Sequence, residues 1–173
     1  MNDAQAYIRI ATRSDGEQLR AMFARSSQKT IHRRFHTPFP EVPNWMVTLM
    51  LDADRPDKEA LVAVAEEKIV GHAMYARLGA GAEAEMAIVV EDGWQSQGVG
   101  KSLLSELAKR ARLRGVEGFV GEVLPENRPM IGLAAAMFAG TGYAIEDGAY
   151  HVSMPLPAPG SAARAAREHP RAA

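Results

Sequence analysis

The stretch Gly93-Trp94-Gln95-Ser96-Gln97-Gly98-Val99-Gly100-Lys101-Ser102 constrains this chain more than any other segment. It follows Glu83 to Val90, whose alternation reads as a strand, and it opens a run of helix formers from Val99 to Arg114. Glycines clustered between a strand and a helix let several backbone N–H groups converge, and the helix N-terminus adds its positive end. Such a loop suits a phosphate group. A plain helix start with turn glycines would look similar, so the neighbouring elements have to decide.

Those elements alternate in type. Tyr7 to Ala11 reads as a short strand, after which Ser14 or Asp15 can cap a helix through Leu19, Met22 and Phe23. Thr30 to Pro43 reads as a short helix breaking into a surface loop, because Pro38, Pro40 and Pro43 each remove a backbone donor. Trp45 to Leu51 suits another turn or two of helix. Leu61 to Ala65 and Ile69 to Arg77 form a hairpin around Glu66-Glu67-Lys68, and Gly79-Ala80-Gly81 leads into the strand before the loop. In the long helix, Leu103, Leu107 and Ala111 make the buried stripe, Lys101, Lys109, Arg110, Arg112 and Arg114 the basic face, and Gly115 the stop. A strand from Val116 to Leu124, a helix from Glu126 to Met137, and a strand pair around Asp147-Gly148 complete the order. The expected fold class is α/β (α+β), a mixed, mostly antiparallel sheet with helices on both faces.

Length and composition limit the rest. A chain of 173 residues with 47% apolar residues supports one core, expected over residues 1–156, with 157–173 expected to be a disordered Pro/Ala/Arg tail. A net charge of -1 gives no global pull toward nucleic acid or acidic membranes. The absence of cysteine excludes disulfides, thiol nucleophiles and cysteine metal sites. Neither a leader peptide nor a membrane-spanning run is recognisable, so a cytoplasmic protein is expected, as monomer or homodimer.

Two phosphate-binding classes compete for the loop. A Walker A loop ends in Gly-Lys-Ser/Thr, which Gly100-Lys101-Ser102 supplies, but its first glycine would fall on Gln95 and no parallel repeat surrounds it. The other class fits throughout. Gln95-Ser96-Gln97-Gly98-Val99-Gly100 resembles the Gln/Arg-x-x-Gly-x-Gly/Ala signature of the GNAT superfamily of N-acetyltransferases, in the strand–loop–helix setting that signature requires. The resemblance runs over Tyr7 to Leu156. Ala84 to Val90, Asp92 to Gln95 and Gly121 to Arg128 look most like the acetyltransferase module of bacterial Pat-type protein lysine acetyltransferases, and Ile31 to Phe35 is loosely similar to a helix found there.

The resemblance implies acetyl-CoA as donor and direct attack by an amine within a ternary complex, with no covalent intermediate. It also implies a splayed strand pair at the cofactor site. Backbone N–H groups of Gln97, Gly98, Val99, Gly100 and Lys101 would cradle the pyrophosphate, with the Gln95 side chain bracing the loop. The backbone at Ile88, Val89 and Val90 would meet the pantetheine arm and offer an oxyanion donor. Asn127 matches the family asparagine that contacts the cofactor, and it can also cap the last helix.

A lysine ammonium must lose its proton first, and at neutral pH only about one in a thousand is neutral. The family comparison puts the base of Pat-type enzymes at Glu85. Alternation places Glu83, Glu85, Ala87 and Val89 on one face, which makes Glu83 the rival candidate. No tyrosine stands in Leu133-Ala134-Ala135-Ala136 to act as general acid, and Tyr143 falls at a position that usually packs in the core. A thiol of ordinary acidity can leave as thiolate unaided.

The remaining candidates are open. His32 and His36 are spaced to share a helix face but lack a third metal ligand, so no metal is expected. Phe39, Trp45, Met46 and Met50 can line an acceptor cleft or pack the helical layer, and Arg33 and Arg34 can meet an acidic partner or solvent. The expected acceptor is a protein lysine, with an acyl-CoA synthetase implied by the Pat likeness. A small amine such as a polyamine, amino acid or antibiotic is the alternative, and a non-catalytic acyl-CoA sensor a third.

Overall fold

The computed structural model describes residues 5–52 and 55–157. The expected tail lies outside them, apart from Pro157. Strands β1 (Tyr7–Ile10), β2 (Lys58–Ala65), β3 (Lys68–Arg77), β4 (Glu83–Val90), β5 (Gly118–Val123), β6 (Gly142–Glu146) and β7 (Ala149–Pro155) form one sheet in the order β1-β2-β3-β4-β5-β7-β6. Every pairing is antiparallel except β4 with β5. Helices α1 (Gly16–Arg25), α2 (Gln28–Phe35) and α3 (Asn44–Leu51) precede β2, whereas α4 (Val99–Leu113) and α5 (Arg128–Met137) flank β5 in sequence.

The central strands are buried on both faces, which explains why Leu61-Val62-Ala63-Val64-Ala65 reads as an unbroken apolar run. Leu61, Ala63 and Ala65 join a core with Leu103, Leu104 and Leu107 of α4 and with Met130 and Ala134 of α5. Ala60, Val62 and Val64 face the other way, onto Leu19, Met22, Ile31 and Met50 of α1, α2 and α3. Strand alternation thus divides one segment between two layers.

Several local expectations shift by a few residues. A 3₁₀ turn, Arg13–Asp15, precedes α1; Asp15 closes it by accepting from the Thr12 N–H at 2.7 Å and from Arg9. Helix α2 starts at Gln28, two residues before the expected Thr30, with Ser27 as its N-cap. Gly115, at φ 78°, follows α4 as the left-handed stop its position suggested. Tyr143 departs from the packed position expected for it. It lies on the edge strand β6, 43% exposed, with its ring against Tyr150 and its hydroxyl donating to the Ile131 carbonyl at 3.3 Å.

Among the described residues no helix is long and apolar enough to cross a membrane.

Candidate active site

The parallel junction of β4 and β5 is short. Its register covers Glu83↔Gly118, Ala84↔Phe119 and Glu85↔Val120, whereas β4 stays paired with β3 as far as Val90↔Gly71. Beyond Glu85 the two strands part, leaving one edge of β4 without a partner strand. A cavity of about 480 Å³ opens there, reached by Met86 to Val90, by the glycine loop and by the start of α5.

Most of the candidate residues meet at this cavity. Ile88, Val89, Val90, Gln95, Gly98, Gly100, Lys101 and Asn127 line it, and so does Ser96, which sequence reasoning did not single out. Gly98 holds φ 84°, a conformation open to glycine at little cost, and a Cβ built there would meet nothing within 4 Å. Gly100 differs: its Cβ would stand 3.4 Å from Leu133, so this glycine lets α5 approach the start of α4. The loop thereby keeps an open face for a phosphate at an α-helix N-terminus, and the residues present fit a coenzyme arm laid along β4.

Gln97 and Val99 fall outside the cavity lining. The Gln97 amide turns back to donate to the Gly93 carbonyl at 2.5 Å, and the Val99 side chain is buried in the core beneath α4. Asn127 occupies the N-cap position of α5, but its side chain makes no capping hydrogen bond. Its backbone carbonyl accepts the first bonds of the helix, from Met130 and Ile131, and the side-chain cap allowed by sequence is not made.

Loop and α2 are fastened together by a network that the sequence did not reveal. Asp92 accepts from the Ser27 N–H at 2.8 Å, the Ser27 hydroxyl at 2.6 Å and the Thr30 hydroxyl at 3.0 Å. Burial alone would raise its pKa, but these donors outweigh it and hold the carboxyl below the usual carboxylate range. Arg25 adds a bidentate pair with Glu91.

On the opposite wall, α2 presents Arg33 and Arg34 to the cavity. Arg33 reaches across to donate to the Glu126 carbonyl at 3.1 Å. The Arg34 guanidinium lies against Met74 of β3 and over the Phe35 ring, with its Nε buried and without a hydrogen-bond partner. Burial lowers its pKa to about 10, and the charge of Glu85 works in the opposite direction. Glu85 itself stands on the α2 side of the sheet at the last paired rung, exposed, beside the cavity but outside its lining. Glu83 is exposed on the same face, farther from the split.

The histidine pair does not share a helix face. His36 is the C-cap of α2, in the left-handed conformation at φ 56°, and its ring lies 3.8 Å from Glu122. Among the described residues no three His, Asp or Glu side chains converge to hold a metal. Met50 is buried in the helical layer with Phe39 and Met46 packed against it, whereas Trp45 is 64% exposed; none of the four lines the cavity.

The model of the acetyltransferase (GNAT) family matches residues 18–138. The chain belongs to this family. It is accordingly an acetyl-CoA-dependent N-acetyltransferase, with acetyl-CoA as the acyl donor. Among solved structures it is similar to the GNAT domain of S. lividans PAT, at 32% identity over 87% of this chain and 90% of that one, with a TM-score of 0.81. The putative acetyltransferase yncA from Salmonella typhimurium, solved with acetyl-CoA, shares the fold at 18% identity, with coverage of 88% and 94% and a TM-score of 0.71. The ribosomal-protein-S18-alanine N-acetyltransferase from Escherichia coli does so at 19% identity, with coverage of 88% and 94% and a TM-score of 0.67.

Proposed function

We propose that this enzyme moves the acetyl group from acetyl-CoA to the ε-amine of a protein lysine, by direct attack in a ternary complex. In this reading the N–H groups of Gln97 to Lys101 hold the pyrophosphate, Gln95 braces their loop, and the free edge of β4 at Ile88 to Val90 pairs with the pantetheine arm. Asn127 supports the same arm from the start of α5. Glu85 accepts the proton of the attacking amine, directly or through one water. The observation that carries the proposal is the position of Glu85 at the rung where β4 and β5 part, one residue from the cavity-lining segment. The resemblance of Ala84 to Val90 and of Gly121 to Arg128 to Pat-type protein lysine acetyltransferases supports a protein acceptor, and the same reading takes an acyl-CoA synthetase as its class and the cytoplasm as the setting.

A general acid is not needed. Arg34 places a fixed cation at the cavity wall, and the departing thiolate is stable enough to leave without prior protonation.

The test follows radiolabel from acetyl-CoA into the acid-precipitable protein and the soluble amines of a cell extract, with the wild type and Glu85→Gln. Label is expected in protein and is expected to fall about a hundredfold in the variant, within the range of a general base. Label confined to soluble amines would discard the protein acceptor, and an unchanged rate in Glu85→Gln would discard the base.

A further inference from the structure

The acceptor half of the cleft holds titratable groups to which the proposed mechanism gives no role. Glu122 lies on β5 two residues beyond Val120, which is the partner of Glu85 across the last paired rung. Alternation puts Glu85, Val120 and Glu122 on one face of the sheet. Here the strands separate between them, so the two carboxylates border the opening. Glu122 lines the cavity, and its side chain is 55% exposed, so its charge can be reached both from solvent and from the cleft.

Two histidines from neighbouring elements stand beside Glu122. His151 Nε2 on β7 lies 3.2 Å from one carboxylate oxygen, and His36 Nδ1 at the end of α2 lies 3.8 Å from the other. His151 also stands 3.6 Å from Glu146 of β6. Among the described residues no lysine or arginine is paired with Glu122. Arg33, Arg34 and Lys101 line the same cavity, and Glu122 is the one carboxylate among its described lining residues. Arg34 sits toward β3, beside Met74, and the acidic group toward β5.

We infer that Glu122 is the docking group for the acceptor's ammonium and holds a primary alkylammonium, such as a lysine side chain, at the split between β4 and β5. The inference rests on the acetyl-transfer reading of this cleft. Almost every lysine arrives charged, so the first group it meets has to bind the cation, and the second removes the proton. Glu122 does the former at the exposed rim and Glu85 the latter at the rung.

The experiment measures binding rather than turnover. Nα-acetyl-lysine amide and its uncharged counterpart Nα-acetyl-norleucine amide are titrated, by nuclear magnetic resonance or calorimetry, into protein saturated with CoA. Wild type, Glu122→Gln and Glu122→Asp are compared. The lysine probe is expected to weaken about tenfold in Glu122→Gln, as for a lost charge-assisted hydrogen bond, and to recover in part in Glu122→Asp. The norleucine probe and CoA itself should bind all three alike. Equal affinity of wild type and Glu122→Gln for the lysine probe, or no preference of the wild type for lysine over norleucine, overturns the inference. Glu122-dependent binding of a probe that is never acetylated when acetyl-CoA is supplied would uphold the docking site and count against acetyl transfer to lysine.

Discussion

The Gln95 side-chain amide donates both to the Val90 carbonyl, at 2.9 Å, and to the Thr30 hydroxyl, at 3.0 Å, so one residue ties the end of β4, the glycine loop and α2 together. Removing it leaves the carbonyl without this donor and frees the loop. At about 1 kcal/mol for each hydrogen bond, Gln95→Ala should weaken CoA binding roughly tenfold or somewhat more. Gln95→Glu should do worse, because it turns an acceptor toward the Val90 carbonyl and toward the hydroxyl that already serves Asp92. Calorimetric titration of CoA into the two variants checks the order; a Glu variant that binds better than the Ala variant would refute this account of the brace.

Gly98 and Gly100 should separate in their effects. Gly98→Ala meets open space but must hold φ 84°, at a cost of about 1–2 kcal/mol, and its methyl group stands where the phosphate is expected. Its dissociation constant for CoA should rise about tenfold or more. Gly100→Ala has an ordinary backbone and a 3.4 Å contact with Leu133, so it should cost some stability and little affinity. Ser96 also holds a left-handed φ of 60°, and Ser96→Gly should raise the melting temperature. Melting curves with and without CoA for all three variants decide between these roles.

How much could be read from sequence depended on how far apart the partners stand in the chain. The loop was legible because its glycines, its strand and its helix are contiguous, whereas alternation put Glu83 and Glu85 on one face and only the family resemblance chose between them. The buried run from Leu61 to Ala65 gave its strand away because it too is contiguous. What escaped depends on long-range register. Asp92 fastens α2 from 65 residues away, and Arg33 spans 93 residues to reach Glu126. Glu122 and His151 meet because β7 inserts between β5 and β6, and His36 comes to them from the end of α2, an arrangement that no local pattern encodes. Tyr143 lies outside the core for a related reason: its strand is at the edge of the sheet, where a side chain has one neighbouring strand instead of two.

His72 should govern part of the acid sensitivity of the fold. Burial first, and the nearby Arg34 charge second, lower its pKa to about 3, against a weaker opposing pull from the Met50 carbonyl at 3.2 Å. In the unfolded chain the imidazole titrates near 6.5. Between about pH 6.5 and pH 3 the unfolded state thus binds one more proton than the folded state, so stability falls as pH falls, by up to about 1.4 kcal/mol per unit. Asp15 and Asp92, whose carboxyls are lowered, act in the same direction but only below about pH 4, where the unfolded carboxylates protonate. His72→Gln keeps a donor for Met50 and cannot titrate. Urea unfolding between about pH 4.5 and 6.5 should show a shallower slope for the variant. An identical slope would mean that His72 charges in the folded protein.

Glu59 joins β2 to α4 and is expected to matter for stability and not for chemistry. It is 2% exposed, pairs with Arg110 and with Arg114 at 3.3 Å, and accepts from the Tyr75 hydroxyl at 3.5 Å. Burial, with the Glu59 charge second, raises the tyrosine's pKa, so the phenol stays protonated and able to donate. Replacing the carboxylate alone strands its partners, and breaking a buried pair in this way costs about 3–5 kcal/mol. The lower end applies here, because the arginine side chains are 28% and 40% exposed and can turn to solvent. Glu59→Ala should therefore lose about 3 kcal/mol in urea unfolding. The double variant Glu59→Leu with Arg110→Met should recover much of that loss, since an apolar pair of similar volume no longer buries a lone charge. CoA affinity should be unchanged in both, because Glu59 and Arg110 lie outside the lining of the cavity between β4 and β5. A double variant no more stable than Glu59→Ala would assign the loss to packing at β2 instead of to the ion pair.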